Sequence, residues 1–552
     1  MKMNNLSTVI GDHNSPLIKK TISRVLHETT KKFPNKPAII SCIENKTYNY
    51  TELNSEVNIA CKSLLKLGAN KNDRLALLST NRTEWLIIHY AAIRIGLIVV
   101  TINPALRSSE IEFILNDSGA KFLFMPKKFR SFSYTESIKS ILNNLILLEH
   151  VIIFERNSEF NFDWQSFLEL GKMYNKHDVS LKEDQIEFDH PCHIQYTSGT
   201  TGKPKGALLT NHNLINNGYF VGKNQNFSEN DTICLPVPLF HCFGSVLGAF
   251  AAIFHGSCIV LPSETFDAKI CMQTIEKYKC TALYGVPMMF ISIFSLPRLT
   301  DYNFSSLRTG AIGGAPCPKE IMKKIINILN IKDITIVYGM TETSPISFQT
   351  NIGDNIDVQV STVGNVNQHI EAKVVDPKNK KTLNKGMSGE LCIRGYSVMR
   401  EYWNNISETK KAIDDDGWMY TGDLVLMRDN GYLEIVGRIK DTIIRGGENI
   451  YPREVEEFLI KINEIEEAYV FGVPDKSYGE IVGCWVKLKE NQKISPEDIQ
   501  NKCKNQIATY KIPSFVRLVN NFPVTASGKI QKFKMSEKEL ALKLENNNTK
   551  YH

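Results

Sequence analysis

A loop from Tyr196 to Ala207 has the composition of a phosphate-binding site. It reads Tyr-Thr-Ser-Gly-Thr-Thr-Gly-Lys-Pro-Lys-Gly-Ala, with three glycines, four Ser or Thr hydroxyls and two lysines. Glycine lets a backbone approach an anion closely, and hydroxyls, backbone N–H groups and ammonium groups bind phosphate oxygens. The spacing of Gly199 and Gly202 is too short for a Walker A motif. A solvated linker would need neither the paired lysines nor the hydroxyls.

The chain around this loop alternates between helix-like and strand-like segments. The apolar run from His193 to Tyr196 predicts a strand, so we expect the loop to leave the edge of a sheet. Such alternation through most of the chain predicts an α/β protein whose sheets are covered by helices.

Further motifs follow the loop in a fixed order. They are PLFHCFG at 238–244, GAIGGAP at 310–316, YGMTET at 338–343, GWMYTGD at 417–423, GRIKD at 437–441 followed by RGGENIYP at 445–452, and SGK at 527–529. Together with the loop they resemble the adenylate-forming superfamily, which includes acyl-CoA synthetases, coumarate–CoA ligases, luciferases and the adenylation domains of peptide synthetases. The resemblance extends from about residue 26 to about residue 535. Segments 342–348, 444–452 and 527–535 are most similar to the medium-chain acyl-CoA synthetases called acyl-CoA synthetase family member 2.

The resemblance implies a reaction in two halves. A fatty acid, expected to be of medium chain length, attacks the α-phosphate of ATP to give an acyl-adenylate and pyrophosphate. The thiol of CoA then displaces AMP to give a thioester. An anion must approach a polyanion in the first half, so cations, including Mg²⁺, must lie between them.

The resemblance also implies two domains. We expect a large N-terminal α/β adenylation domain with several sheets at residues 1–436 and a small, mobile α+β lid at residues 442–552. A hinge at 437–441 would pivot on Lys440, and the tail after about residue 545 is expected to be disordered. The lid would turn between the two half-reactions.

Particular residues inherit roles from the family motifs. Glu342 would bind Mg²⁺, since this ion favours one or two carboxylates together with phosphate oxygens, and Thr341 would contact the α-phosphate. His241 would border the acyl pocket and gate the thiol tunnel. Lys529, on the lid, would bridge the substrate carboxylate and the α-phosphate, and with Thr341, Glu342 and His241 it completes the predicted catalytic set.

The remaining predicted site residues bind nucleotide or CoA. Small residues would let the adenine lie against backbone while Tyr338 stacks on it, Asp423 would accept the ribose hydroxyls with help from Arg438, and a glycine pair would line the pantetheine tunnel. The complete predicted binding set is Thr197, Ser198, Gly199, Thr200, Thr201, Gly202, Lys203, Pro204, Lys205, Gly314, Ala315, Pro316, Tyr338, Asp423, Arg438, Gly446 and Gly447.

Composition excludes several other classes of protein. The net charge of +6 over 552 residues is not concentrated in a Lys/Arg block, so we predict no nucleic-acid partner. Twelve scattered cysteines, without a C-x-x-C pair, indicate reduced thiols and a cytoplasmic location. The N-terminus lacks the apolar core of a signal peptide.

One apolar segment, residues 85–102, approaches the length of a membrane span. His89 and Arg94 interrupt it, and Gly96 divides it into a predicted helix at 83–95 and a predicted buried strand at 97–102. Residues 245–262 divide in the same way at Gly256. We therefore predict no transmembrane segment, with peripheral membrane contact left open.

Several alternative functions stay open at this stage. One is an adenylation enzyme for aryl or other carboxylic acids, or one that transfers its product to a carrier protein. Amino-acid adenylation domains usually carry Asp at the position of His241, which disfavours that alternative. A luciferase-type oxygenase is not excluded by the motifs, whereas a non-catalytic ATP sensor is disfavoured because Glu342 and Lys529 are both present. The sequence does not determine the acyl chain length or the oligomeric state.

Overall fold

The computed structural model describes most of the chain, in two compact units. The described residues are 5–156, 159–174, 177–197, 204–446, 448–475, 477–504, 506–524 and 530–548. The larger unit comprises Val9–Ala372 and Ile393–Met419, and the smaller unit comprises Met1–Thr8, Lys373–Cys392 and Tyr420–His552. The hinge at 437–441 stays a prediction.

A nine-stranded sheet forms one layer of the larger unit. Its strands, in spatial order, are Asn365–Val366, Ile346–Gln349, Asp333–Gly339, Thr309–Gly313, Ala282–Gly285, Thr232–Cys234, Cys258–Leu261, Pro37–Ser41 and Lys46–Asn49. The six strands from Asp333–Gly339 to Pro37–Ser41 are parallel, and antiparallel strands close both edges.

An eight-stranded sheet forms a second layer of this unit. Its strands, in spatial order, are Phe162–Asp163, His150–Ile153, Ala120–Met125, Arg74–Leu78, Ile98–Ile102, Pro191–Thr197, Lys205–Thr210 and Glu401–Tyr402. The first six are parallel, and the last two pair antiparallel. A short hairpin joins Lys128–Phe129 to Phe132–Ser133.

Helices cover the faces of both sheets, as parallel sheets require. The α-helices of the larger unit are Ile22–Lys32, Tyr50–Lys66, Thr83–Arg94, Ser108–Ser118, Tyr134–Ile141, Trp164–Lys172, His177–Asp184, Asn211–Asn224, Cys242–Gly244, Ala251–His255, Ala268–Tyr278, Pro287–Phe294, Lys319–Asn327, Ile356–Ser361 and Ile406–Ala412. Three 3₁₀ helices, Leu142–Asn144, Leu299–Asp301 and Thr341–Thr343, and a π-helix, Ser245–Phe250, complete the unit.

The main hydrophobic core lies between the two sheets. Leu75 and Val99 from the eight-stranded sheet and Ile233 and Tyr284 from the nine-stranded sheet belong to one buried cluster. Every residue of the helix Thr83–Arg94 is buried in this layer. That burial explains why the helix is apolar on all sides rather than on one face only.

The two apolar segments, residues 85–102 and 245–262, divide as the sequence predicts. The first forms the helix Thr83–Arg94 and the strand Ile98–Ile102, with Gly96 at a φ of +82° between them. The second breaks at Gly256, whose φ is +74°. Within the described part of the chain, no helix has both the length and the hydropathy needed to cross a membrane.

The smaller unit contains antiparallel sheet and few helices. Most residues of one five-stranded sheet belong to it, in the order Thr8–Ile10, Ile370–Val375, Ser388–Gly395, Met419–Met427 and Leu433–Arg438. A second sheet is ordered Glu448–Ile450, Ile443–Arg445, Gly479–Leu488 and Ile465–Asp475, with Phe515–Leu518 paired to Gly479–Leu488. Its helices are Pro452–Leu459, Pro496–Cys503 and Lys532–Asn548, with 3₁₀ helices Ile439–Asp441 and Thr509–Lys511.

The C-terminal helix runs from Lys532 to Asn548. Disorder of the tail after about residue 545 stays a prediction. The preceding run of Lys, Glu, Leu and Ala consists of strong helix formers, which carry the helix into the asparagines. Residues 549–552 lie outside the described part of the chain.

Candidate functional site

The two ends of the glycine-rich loop lie side by side on one sheet. Strand Pro191–Thr197 confirms the predicted strand, and it pairs antiparallel with Lys205–Thr210, with Thr197 and Lys205 as register partners. The predicted phosphate-binding residues Ser198, Gly199, Thr200, Thr201, Gly202 and Lys203 lie outside the described residues. Thr197, Pro204 and Lys205 are described, and they fix where the loop begins and ends.

Glu342, the predicted magnesium ligand, lies against the beginning of this loop. The hydroxyl of Thr197 donates to its Oε1 at 3.3 Å, and the hydroxyl of Tyr402 donates to the same atom at 2.8 Å. The backbone N–H of Met399 donates to the Glu342 carbonyl at 2.8 Å. Only 5% of Glu342 is exposed, and hydroxyls from two other segments hold its carboxylate in place.

A tight turn at the end of the strand Asp333–Gly339 positions Glu342. A Cβ on Gly339 would lie 1.8 Å from the carbonyl oxygen of Pro345, so no larger residue fits there. Ser344 has a φ of +70°, and its hydroxyl donates to the carbonyl of Ser397 at 2.6 Å. The turn thus presents Thr341 and Glu342 at the carboxyl end of a sheet strand, where ligands of α/β proteins bind.

Lys205 is paired with a carboxylate that the sequence did not indicate. Its ammonium forms a short ion pair with Glu408 and lies 5.2 Å from the centre of the Tyr402 ring. A hydrogen bond from Lys205, and a second one from Lys411, lower the pKa of Glu408 to about 2. Glu408 therefore stays ionised and holds the Lys205 charge beside the loop.

His241 begins the short helix Cys242–Gly244. Its Nδ1 accepts a hydrogen bond from the N–H of Phe243 at 3.2 Å, which leaves the proton of the neutral ring on Nε2. Burial raises the pKa of the Cys242 thiol to about 12, although a hydrogen bond with Thr341 opposes the shift. This contact brings the His241 motif next to the Thr341–Glu342 motif.

The predicted adenine site lies on two neighbouring parallel strands. Gly313 is the register partner of Val337, so Gly314 and Tyr338 follow at adjacent strand ends. Gly314 has a φ of +83°, and together with Ala315 and Pro316 it is exposed. Tyr338 is half-buried and packs edge-on against Phe348, with ring centres 6.3 Å apart. An exposed small-residue run beside an aromatic face can accept a planar base.

The predicted ribose-binding pair lies in the smaller unit. Asp423 and Arg438 are register partners on adjacent strands, and Arg438 Nε lies 2.9 Å from Asp423 Oδ1. Asp423 is 5% exposed, and its backbone N–H donates to the Thr421 hydroxyl at 3.1 Å. The pair forms a rigid carboxylate with a guanidinium beside it.

The remaining predicted residues belong to the same unit. Gly446 has a φ of +59° in the turn after strand Ile443–Arg445, and its N–H donates to the carbonyl of Tyr478 at 2.8 Å. Lys440 lies in the 3₁₀ helix Ile439–Asp441. Gly447 and Lys529 lie outside the described residues.

Comparison with known proteins assigns this chain to a family of enzymes. The family described as AMP-binding enzyme matches residues 26–403, and its C-terminal domain, AMP-binding enzyme C-terminal domain, matches residues 454–529. The chain therefore belongs to the AMP-binding enzyme family, which confirms the predicted membership of the adenylate-forming superfamily.

Individual relatives match over nearly their whole length. The chain is 39% identical to YngI of Bacillus subtilis, covering 95% of this chain and 98% of the relative. It is 38% identical to the mitochondrial medium-chain acyl-CoA ligase ACSF2 of Danio rerio, covering 97% of this chain and 91% of the relative. The solved structure of the anthranilate CoA ligase AuaEII with anthranoyl-AMP is 26% identical and superposes with a TM-score of 0.83, covering 95% and 98% of the two chains. The predicted α/β fold, with a large N-terminal and a small C-terminal domain, is confirmed.

Two residues of the site escaped sequence reasoning. Tyr402 contacts Glu342, which lies 60 residues away in the sequence. Glu408 contacts Lys205, which lies 203 residues away. Strand Glu401–Tyr402, which pairs with Lys205–Thr210, brings Tyr402 to the loop, and the helix Ile406–Ala412 that follows carries Glu408. Nothing local in the sequence around them indicates that pairing.

Proposed function

We propose that this protein is an ATP-dependent acyl-CoA ligase that activates a medium-chain fatty acid. An acyl-adenylate forms first, with release of pyrophosphate, and CoA then takes the acyl group, with release of AMP. The observation that supports this proposal most strongly is the contact between Thr197, at the start of the glycine-rich loop, and Glu342. It supports the proposal because it brings a buried carboxylate into contact with the residue from which the glycine-rich loop begins.

The geometry around Glu342 suits a magnesium ion. Its Oε1 already accepts from two hydroxyls, and Mg²⁺ takes one or two carboxylates and completes its shell with phosphate oxygens and water. Among the described residues, no group of three or more His, Cys, Asp or Glu side chains is arranged to hold a metal. When bound there, the ion would neutralise charge that develops on the phosphates.

The protein's own groups orient the reactants. The Lys205 ammonium lies beside the loop and offers positive charge to the β- and γ-phosphates, while the Thr341 hydroxyl offers a hydrogen bond to the α-phosphate. His241, held by its Nδ1 bond, presents its Nε2 side to the acyl pocket and acts by position rather than by proton transfer. Asp423 accepts the ribose hydroxyls, and the Gly446 turn lies along the path of the pantetheine arm.

Lys529 and Gly447 complete the proposed chemistry. The Lys529 ammonium would bridge the substrate carboxylate and the α-phosphate during adenylation. Gly447 would leave room for the thiol of CoA during thioester formation. Both roles rest on the sequence motifs, and Lys440 is proposed as the pivot between the two arrangements.

The proposal is tested by following three products at once. Purified full-length protein is mixed with MgATP, CoA and a panel of fatty, aryl and amino acids, and AMP, pyrophosphate and thioester are measured. We expect AMP and thioester in equal amounts with fatty acids. AMP formation that requires a carrier protein in place of CoA, or a preference for aryl acids, would favour the alternatives, and no acid-dependent AMP would overturn enzymatic function.

A cytoplasmic location is also part of the proposal. All twelve cysteines are free thiols, as in a reducing compartment. The Danio rerio relative is named as mitochondrial, so cell fractionation with compartment markers decides between the two locations. Recovery with mitochondrial markers would contradict the cytoplasmic assignment.

A further inference from the structure

A group of five buried side chains in the larger unit carries polar atoms that have no hydrogen-bond partner among the described residues. The atoms are Trp85 Nε1, both ring nitrogens of His89, Thr101 Oγ1, both ring nitrogens of His193 and Gln195 Oε1. None of these residues is more than 3% exposed. Buried polar groups are nearly always partnered, and leaving one unpaired costs about 1–3 kcal/mol. We call these five residues the polar row.

The residues of the polar row are neighbours in space. His193 and Gln195 are two residues apart in strand Pro191–Thr197, so their side chains lie on the same face of the sheet. Gln195 is the register partner of Thr101 on the neighbouring strand. From His193 the row continues to His89, with ring centres 5.3 Å apart, and from His89 to Trp85 at 4.7 Å. The row therefore occupies one continuous strip between the sheet and the helix Thr83–Arg94.

The row begins at the proposed catalytic site. Thr197, which donates to Glu342, lies on the same strand face as Gln195 and His193. The side-chain amide of Gln195 donates to the carbonyl of Phe240, next to His241, at 3.3 Å. Thr197 and His193 are four residue steps apart in the strand, a distance of about 13 Å at the rise of a β-strand. This is comparable with an extended medium-chain acyl group.

The row is polar but uncharged. Burial lowers the pKa of His193 to about 3 and holds the pKa of His89 well below its ordinary value, so both rings are neutral. A neutral imidazole offers one donor and one acceptor, the indole offers a donor, and the Thr101 hydroxyl offers both. The complement to such a set is an uncharged group that donates and accepts, since a second carboxylate would lose its hydration without gaining a cation.

We propose that the polar row is a subsite for an uncharged oxygen function, a hydroxyl or a carbonyl, carried near the far end of the substrate acyl chain. The inference rests on the proposed ligase function and narrows its substrate class. Stacking of His89 on Phe250, with ring planes 6° apart and centres 5.4 Å apart, fixes the His89 ring within the row. The acyl chain would extend from the catalytic site along the strand, and its oxygen would pair with the far end of the row, at His193 and His89.

The test compares matched acids on the same enzyme. Thioester formation is measured for octanoic, decanoic and dodecanoic acids and for their ω-hydroxy counterparts, and kcat/KM is expressed as the ratio of hydroxylated to plain acid. At one chain length we expect this ratio to reach one or more. An apolar pocket would instead penalise the hydroxyl by about 5- to 100-fold at every length, because the hydroxyl would be buried unpaired.

Variants connect that ratio to the row. His193→Leu and Thr101→Val should lower the ratio by about 5- to 10-fold, the value of one hydrogen bond, while His193→Gln should largely restore it. The control is Gln359→Leu, since Gln359 also buries an unpartnered Oε1 but lies on the helix Ile356–Ser361. Binding constants of acyl-sulfamoyl-adenosine analogues with and without the hydroxyl are also measured, and their ratio is compared between the variants.

Each outcome decides the proposal. Loss of preference in the row variants, with Gln359→Leu like the parent, supports it. A hydroxyl penalty at every chain length, or ratios that the row variants do not change, overturns it and makes the row a site for ordered water alone. Absence of thioester from the plain acids would instead contradict the ligase function. If His193→Leu does not fold, Thr101→Val still tests the proposal, because replacing the hydroxyl with a methyl group changes the volume of the side chain little.

Discussion

The candidate functional groups of the larger and smaller units are held in different ways. In the larger unit, Glu342 is fixed by hydroxyls from Thr197 and Tyr402, which lie 145 and 60 residues away in sequence. In the smaller unit, Asp423 and Arg438 are register partners on adjacent strands, and Gly446 occupies a turn that continues directly from a strand. The candidate phosphate site in the larger unit therefore depends on tertiary contacts, whereas the candidate groups of the smaller unit depend on local backbone geometry.

This difference has a consequence for mutagenesis. Substitutions in the larger unit should act through neighbours and give graded effects, because several contacts share the positioning of one carboxylate. Substitutions in the smaller unit should separate the two half-reactions, because each acts on one group or one turn.

The largest expected effect is that of Lys529→Ala. Loss of one preorganised cation costs about 10²–10³ in rate, and it should fall on adenylation, measured as acid-dependent exchange of pyrophosphate into ATP. Thioester formation from supplied acyl-adenylate should be spared. Lys532→Ala, which removes a nearby lysine paired with Glu456, is the matched control. Wild-type exchange in Lys529→Ala would remove this residue from the mechanism.

Gly447→Leu should give the converse result. The added side chain would obstruct the pantetheine path, so acyl-adenylate should accumulate while CoA-dependent turnover falls. Quenched-flow analysis of the acyl-adenylate and the thioester measures this directly. Equal losses in both half-reactions would indicate a folding defect, and unchanged CoA turnover would place the thiol path elsewhere.

The buried histidine His193 in the larger unit should make the free energy of unfolding depend on pH. The pKa of His193 is lowered to about 3 by burial, whereas a histidine in the unfolded chain titrates near about 6.5. Below that pH only the unfolded state takes up the proton, so stability falls as the pH drops towards about 3, by up to about 1.4 kcal/mol per pH unit.

His193→Gln should reduce this slope, measured by urea unfolding at several pH values between neutral and acidic. Other buried histidines, such as His89, whose pKa is also lowered, should account for the pH dependence that remains. A slope identical to that of the parent protein would mean that His193 is protonated in the folded state.

The smallest expected effect is that of Tyr402→Phe. Removing the hydroxyl that donates to Glu342 should raise the KM for MgATP by about 5- to 10-fold, the value of one hydrogen bond, with little change in kcat. Tyr50→Phe is the control, because its hydroxyl donates to the buried Ser257 carbonyl at 2.7 Å in the core. Identical kinetics for the two variants would show that Tyr402 does not position the metal ligand.

Much of the fold and part of the site could be predicted from sequence. The strand that leads into the glycine-rich loop and the helix and strand divided at Gly96 follow from local patterns, and the order of motifs predicts the family. The ion pair of Lys205 with Glu408 and the polar row could not be predicted. They depend on strand order in the sheet, which joins segments far apart in sequence and leaves no local signal.

The most direct test of the account is a kcat/KM series for thioester formation over saturated fatty acids from acetate upwards. Each buried methylene should contribute about 0.8 kcal/mol, so kcat/KM should rise with chain length until the pocket is filled. The account predicts a maximum among medium-chain acids, above both acetate and aryl acids. A flat profile, or a maximum among aryl or amino acids, would contradict it.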